Sequence, residues 1–322
     1  MRTTLLAAFA LVAAFAFIQA HAQQYPARPV RIVIPFPAGG ASDTIGRTLG
    51  DALSAQLGQP VVIDNRPGAA GRLATEILAK SEPDGYTLMV GGVGPLSISP
   101  ALYKNLPYDS EKSFTAISRA GEILNVMVVN PSSGARDVKQ FIEIAKKRPG
   151  ELRYGSSGPG QLDHLAGVFF ERLAGVRMSH VPYKGGGPAL IDLIAGDLQV
   201  MFSTYVVAAP HVTAGKLRAL AVTTATRQPL LANLPPVAET LPGYGVSNWN
   251  GIFAPARTPQ PIVDRLFAEV NRALKSPEVK RRQNNAGIEP EGSPSRADFQ
   301  TFLREDRSRW AKIIREADIK VE

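Results

Sequence analysis

Short apolar runs rich in Val and Ile alternate, almost from end to end of the chain, with longer stretches in which apolar residues recur at helical spacing. That alternation constrains the fold more than any other feature, because apolar strands with helices between them bury both faces of a sheet; it predicts α/β architecture with mainly parallel strands. Residues 30–34 read as the first strand. From Ile45 the residues Ile45, Leu49, Ala52, Leu53 and Leu57 mark a helix that Gly58 closes. A strand at 61–64, a helix at 71–80 and a strand at 86–92 complete a βαβαβ half-domain.

A connection carrying Pro107 and a short strand near 114–117 leads to a strongly apolar strand at 123–129. The βα units then resume: helix 137–147, strand 152–155, helix 161–173, strand 178–181, helix 188–195, and strands 200–203 and 219–223. Pro235, Pro236, Pro242, Gly243 and Gly245 break regular structure and mark a linker. Residues 249–255 return to strand character. Helices are expected at 261–274 and 296–317, the last with Phe299, Phe302, Leu303, Trp310, Ile313 and Ile314 along one stripe.

Arg2, an apolar run to Ile18 and the small-residue site Ala20-His21-Ala22 have the order of a secretory signal. The run is shorter than the roughly 20 residues a spanning helix needs, so residues 1–22 are expected to be a signal peptide cleaved after Ala22, and the product to be exported to the periplasm. The chain has no cysteine, which excludes a disulfide framework, thiol catalysis and thiolate metal sites, and leaves stability to a hydrophobic core. Its formal charge is +8 and remains basic without Arg2. Export argues against nucleic acid, and short clusters such as Lys146-Lys147-Arg148 read as solvated helix faces; attraction of small anions is compatible with the charge.

Three strand-to-helix junctions are glycine-rich: residues 35–43 (PFPAGGASD), 155–161 (GSSGPGQ) and 181–188 (VPYKGGGP). Glycine lets backbone approach a ligand closely, and each following helix begins with unpaired N–H groups that favour an anion. One such turn is ordinary tight connection. Three of them in one open α/β sheet system, where ligands collect at the carboxyl ends of strands, suggest facing carboxylate or phosphate cradles. Ser42, Ser156 and Ser157 add hydroxyl donors, and Asp43 reads first as a helix cap or first-turn acid.

Other chemistry is thin. Residues 92–97 and 158–163 begin as G-x-G without the third glycine of a dinucleotide fingerprint, and no phosphate loop occurs. The spacing of His164, His180 and His211 suits no standard zinc motif, so no metal and no cofactor are expected. An exported serine hydrolase would need Ser156 or Ser157 with His164 as base; Asp163 adjoins that histidine in sequence and would point elsewhere on a helix.

The ordered set of YPARPVRIVIPFPAGGASD, NRPGAAG, PDGYTLMVGG, LPYD, YGSSGPGQLDHLAG, VPYKGGGPAL, AGKLRALAVTT and WNGIFAPARTP, spread over essentially all of the chain beyond the signal, resembles the Bug-type (TctC-like) solute receptors of tripartite tricarboxylate transporters. The resemblance implies a two-lobed periplasmic binding protein, type II-like, with a ligand cleft between lobes and two interlobe crossings. Lobe 1 would comprise 23–122 and 248–322, and lobe 2 would comprise 123–247. It implies a non-enzymatic receptor, monomeric, that captures a small organic mono- or dicarboxylate and hands it to membrane transporter subunits, or reports it to a sensor. Carried onto this chain, the ligand residues would be Phe36, Ala38, Gly39, Gly40, Ser42, Asp43 and Gly92 on one side. Those facing them would be Ser156, Ser157, Gly158, His164 and Tyr183. Many relatives of that type carry an acid after the strand ending near 203; here Ser203, Thr204 and Tyr205 stand there. A ligand ammonium would lack its partner, which favours a carboxylate without an amino group, its body against Tyr205.

Overall fold

The computed structural model describes residues 25–317 and 319; the expected signal peptide, 1–22, lies outside the described residues. Strand β1 (Val30–Ile34), helix α1 (Ala41–Leu57), β2 (Val61–Asn65), α2 (Arg72–Ala79) and β3 (Thr87–Gly92) form the expected βαβαβ unit. β1 pairs in parallel with β2 and β3. Ile32 and Ile34 pack with Ile45, Leu49 and Leu53 of α1, while Val33 faces the other way, into a cluster with Ala74 and Leu78 of α2. Covered on both faces, β1 reads as an unbroken apolar run rather than an alternating one. Gly46 lets α1 lie close: a Cβ there would stand 2.4 Å from Ile34 Cδ1.

A wide helical turn at Gly94–Ile98 runs into α3 (Ser99–Leu102), followed by β4 (Phe114–Ile123) and β5 (Asn125–Val129). The single strand expected at 123–129 is therefore two. Ile123 ends β4 in one sheet, Asn125 opens β5 in another, and Leu124 passes between, its N–H donating to Gly287 O and its carbonyl accepting from Tyr205 N. β4 also outruns the expected 114–117. Ser118, Arg119 and Glu122 interrupt the apolar pattern there, but Arg119 is paired with Glu122 and Ser118 accepts from the Ser293 N–H.

Helices α4 (Val138–Lys147), α5 (Leu162–Ala174), α6 (Gly186–Ala195) and α7 (Tyr205–Thr213) alternate with β6 (Arg153–Ser156), β7 (Ser179–Pro182), β8 (Val200–Thr204) and β9 (Arg218–Val222). They build a second lobe on a five-stranded sheet, β7-β6-β8-β5-β9. The chain returns as β10 (Trp249–Pro255), then α8 (Gln260–Lys275), α9 (Pro277–Asn285), β11 (Ile288–Glu289) and α10 (Arg296–Glu316), closing the first sheet in the order β11-β4-β10-β3-β1-β2. α7 and α9 escape a sequence reading: α7 carries Pro210, and α9 buries only Val279 and Gln283.

The sheets are mixed rather than mainly parallel. Each strand that enters from the other lobe starts beside the carboxyl end of a parallel strand, Asn125 opposite Thr204 and Asn250 opposite Gly92, so it can only run backwards along its neighbour. Both crossings are thereby fixed at the edge where the parallel strands end. The apolar stripe of α10 anchors this edge: Phe299 and Phe302 meet the Trp249 ring edge-on at 6.1 and 5.7 Å, and Trp249 Nε1 donates to Asp306 Oδ2 at 2.8 Å.

Candidate ligand cleft

The carboxyl ends of β1, β3, β6 and β8 open on a cavity of about 360 Å³ between the lobes. Its first wall is apolar: Phe36, Ala70, Val93, Ile98, Leu102 and Tyr103. Its second is largely polar or backbone, with Ser157, Gly160, Gln161, Gly186, Ser203 and Thr204. Asn125 and Asn248 form part of the boundary where the two crossings run, and the Asn248 amide donates to Asn125 Oδ1 at 3.2 Å.

Of the first glycine turn, only Phe36 borders the cavity. Gly39 has φ 85°, and Gly40 precedes α1 without a side-chain cap. Asp43 is buried under this turn. It accepts from Gly39 N at 2.9 Å, Arg47 Nε at 2.8 Å and Asn65 Nδ2 at 2.9 Å. Burial alone would raise its carboxyl; these hydrogen bonds and the Arg47 charge outweigh burial and hold it below the usual range. Asp43 thus braces the turn as a first-turn acid, one of the two roles read from sequence, and not as the helix cap. Ser42 donates to Asn250 Oδ1 at 3.0 Å. Gly92 lies against β10, where a Cβ would meet Trp249 O at 3.1 Å; that crowding accounts for the glycine. Ala38 is exposed on the turn.

In the second lobe Ser157 borders the cavity, while Ser156 is entirely buried beneath it. Ser156 Oγ lies 2.7 Å from His180 Nε2 and accepts from Gly158 N at 3.2 Å. His164 accepts from Gly160 N through Nδ1 at 3.0 Å and stacks on His180, ring centroids 4.0 Å apart. Burial, then the neighbouring His180, pushes His164 down to about 4, so the stack is neutral at pH 7 and the Gly158–Gly160 backbone rests on it. The serine–histidine pairing set out from sequence, with His164 as base, is not formed. Ser156 meets His180 instead, out of solvent, and Asp163 bonds Ser157 N at 2.7 Å and Oγ at 2.9 Å rather than either ring. Burial pushes the Asp163 carboxyl up, against the hydrogen bonds from Ser157 and His164.

Two expected aromatic walls turn elsewhere. Tyr183 donates to Asp192 Oδ2 at 2.5 Å, and the cavity is bordered there by Gly186 and Gly187. Tyr205, first residue of α7, lines a separate recess with Leu230 and Leu234 in the second lobe; Val207 takes the cleft side of α7. The sequence reading also passed over Ala70, which has φ 55°, a conformation costly for a non-glycine residue. NRPGAAG was a signal for it; nothing local pointed to Asn125 and Asn248.

Three helices begin at the cavity, α5 after Gln161, α6 after Gly185 and α7 after Thr204, and none has a side-chain cap. α4, α9 and α10, which start elsewhere, are capped by Asp137, Ser276 and Ser295, while α1, α2 and α8 also begin without a side-chain cap. First-turn N–H groups without caps are donors available to a ligand, apart from His164 N in α5, held by Asp163 Oδ1, and Tyr205 N in α7, held by Leu124 O. Asp163 is the sole charged side chain bordering the cavity among the described residues, and its oxygens are committed to Ser157 and the His164 N–H. The site can therefore hold an anion by dipoles and hydroxyls, and an aliphatic body on its other wall.

A sequence model of the tripartite tricarboxylate transporter family receptor, TctC, matches residues 45–319. Protein BugT of Bordetella pertussis is 34% identical over 324 residues, covering 99% of each chain. The solved structure of R. palustris Rpa4515 with adipate is 36% identical, with TM-score 0.80 over 92% of this chain and 99% of its own. MatC (Rpa3494) from Rhodopseudomonas palustris with bound malate is 32% identical, with TM-score 0.75 over 90% and 100%. Two α/β lobes, a cleft bordered by uncapped helix starts, and this agreement along the whole chain lead to one assignment: the chain belongs to the tripartite tricarboxylate transporter receptor family.

Proposed function

We propose that the protein is a periplasmic receptor, exported by cleavage after Ala22, that captures a small organic mono- or dicarboxylate between its lobes and presents it to the membrane subunits of a tripartite tricarboxylate transporter. The observation that carries this reading is the cleft wall built from three uncapped helix starts, with no Lys or Arg bordering the cavity among the described residues. A carboxylate supplies acceptors to the first-turn N–H groups that the chain leaves unpaired, those other than His164 N and Tyr205 N, and their partial positive charge favours it. Lobe 1 (23–123 and 248–322) and lobe 2 (124–247) close over the solute because only the closed form lets both touch it; lobe 1 is one residue longer than expected because Ile123 still pairs in its sheet. The ligand residues we propose are Phe36, Ser157, Ser203 and Thr204 from the family pattern, with Gly160, Gln161, Gly186, Gly187, Asn125 and Asn248 beside them. Ala38, Gly39, Gly40, Ser42, Asp43, Gly92, Ser156, Gly158 and His164 act by shaping the turns.

The cleft offers no free carboxylate to an ammonium, so the solute lacks an amino group; its hydrocarbon portion lies on Phe36, Val93, Ile98 and Leu102. The bound acids of Rpa4515 and MatC support the ligand class. A thermal-shift screen against organic acids, followed by calorimetry with matched pairs such as adipate and its 2-amino derivative, tests this. A rise in melting point with the acid and none with its amino partner is expected. Tighter binding of the amino acid, or no shift with any carboxylate, overturns it.

A further inference from the structure

Glu122 is the last residue but one of β4 and lies directly before the first crossing. It is 4% exposed. Its Oε1 accepts from the Asn248 main-chain N–H at 2.6 Å, and its Oε2 accepts from Ser247 Oγ at 2.5 Å and from Arg119 Nη2 at 2.9 Å. Ser247 and Asn248 form the second crossing. One buried carboxylate therefore ties both connections between the lobes. Asn248, gripped from behind at its N–H, extends its side chain forward to Asn125 in the cavity boundary.

We propose that Glu122 is a positioning residue for solute capture: its carboxylate sets the second crossing against the first, and through Asn248 it fixes the Asn248–Asn125 pair that floors the cleft. This rests on the reading of that cleft as the solute site.

The charged surroundings of Glu122 are few. Arg119 comes from its own strand and is shared with Glu291 at 2.9 Å. Glu289 stands opposite Glu122 in the β4–β11 register, with Lys280 of α9 acting on it. β10 and the second crossing bring Trp249, Ser247 and Asn248, none of them titratable near neutrality. α10 brings Phe302, whose ring centre lies 4.7 Å from the Arg119 guanidinium carbon. Burial, opposed by Arg119 and the bonds from Ser247 and Asn248 and aided by Glu291, pushes the Glu122 carboxyl up to about 7. The ionised form satisfies all three donors. A proton on Oε2 can be accommodated by rotation of the Ser247 hydroxyl, but a proton on Oε1 leaves the Asn248 N–H without its acceptor, because a main-chain amide cannot turn round. With the proton on Oε2 the Asn248 N–H still meets Oε1, but as a neutral carbonyl oxygen in place of a charged one, a weaker acceptor, so the floor is held more firmly above the midpoint than below it.

The test needs no solute at first. Protein with ¹⁵N-labelled asparagine is titrated by NMR from about pH 5 to about pH 9. The side-chain amides of Asn125 and Asn248 are expected to move together with one midpoint near 7, and to stay still in Glu122→Gln. Should Glu122→Gln not fold, Ser247→Ala decides: losing a donor to the ionised form must raise the midpoint. Side-chain amides that do not titrate, that titrate unchanged in Glu122→Gln, or that keep their midpoint in Ser247→Ala overturn the proposal. Calorimetry with adipate adds a second reading. Wild-type affinity is expected to fall about three- to tenfold from about pH 8 to about pH 6, the worth of one buried hydrogen bond, with no such fall in Glu122→Gln. A fall that persists in Glu122→Gln also overturns it. If adipate binds at neither pH, the carboxylate reading fails for that acid, while the asparagine titration still decides the role of Glu122.

Discussion

Asn248 reaches Asn125 across 3.2 Å, and with that contact the two segments that carry the chain between lobes meet inside the cleft they connect. A solute touching this pair would touch the crossings themselves. Asn125→Ala is expected to weaken adipate binding about tenfold, with stability changed by only about 1 kcal/mol because the Asn248 amide it releases borders the cavity and can turn to water. Calorimetry and urea unfolding on the same variant separate the two effects. A loss of stability with affinity intact would make the pair purely structural.

Glycines bordering the cavity and glycines behind it should respond oppositely to a methyl group. A Cβ on Gly187 meets nothing within 4 Å, and the residue sits in the first turn of α6. Gly187→Ala is expected to stabilise the solute-free protein by about 0.5 kcal/mol while its methyl intrudes on the carboxylate and weakens binding. Gly92→Ala, crowded at 3.1 Å by Trp249 O, should instead cost about 1–3 kcal/mol of stability. Melting curves with and without adipate distinguish them, and equal behaviour would contradict the assignment of the walls.

Asp43→Ala should destabilise the protein by about 1–2 kcal/mol, since it removes the buried acceptor shared by the Gly39 N–H, the Asn65 amide and Arg47 and unties the turn. With its pKa below the ordinary 3.8 in the folded protein, this carboxylate contributes stability above that value, and the contribution is lost as pH falls through the folded pKa. The difference between wild type and variant, read by urea unfolding, should therefore narrow only below about pH 4. A difference constant to about pH 2 would refute the brace.

Two groups set opposing slopes in mildly acidic solution. Glu122, raised from 4.5 to about 7, contributes stability that is complete below 4.5 and lost as pH rises through 7. His164, lowered from 6.5 to about 4, contributes stability that is present above 6.5 and lost as pH falls towards 4. Each is worth roughly 1–3 kcal/mol. Relative to wild type, Glu122→Gln should lose ground on acidification between these limits and His164→Asn should gain it. Parallel stability profiles for all three proteins would remove both assignments.

Much of the architecture was legible because burial on two faces leaves a readable trace. Residues 30–34 and the helical recurrence from Ile45 to Leu57 follow from packing alone, and the break of regular structure at Pro235 to Gly245 precedes the second crossing. The first crossing was expected between 122 and 123, slightly early, because Ile123 and the Val126–Val129 segment are apolar in two different sheets and only Leu124 and Asn125 separate them. The glycine turns pointed to the right edge of the molecule, yet misjudged individual residues. Whether Tyr183 or Gly186 borders the cavity depends on the angle at which α6 leaves β7, and Tyr205 is turned away by its place at the start of a helix rather than at the end of a strand. His180 was unreadable as a support of Ser156, since its position follows from the β6–β7 register, Tyr154 opposite His180, which local sequence does not encode.

The scarcity of charged side chains around the cavity bears on where such a receptor can work. Salt weakens attraction between full charges beyond about 10 Å at 0.1 M, but helix-start amides in direct contact with a guest are neutral groups acting at bonding distance. Residence of the solute should thus be nearly indifferent to ionic strength, whereas its arrival, drawn by a net charge that stays basic without Arg2, should slow as salt rises. Raising the salt should therefore delay the catch and leave it held as firmly as before.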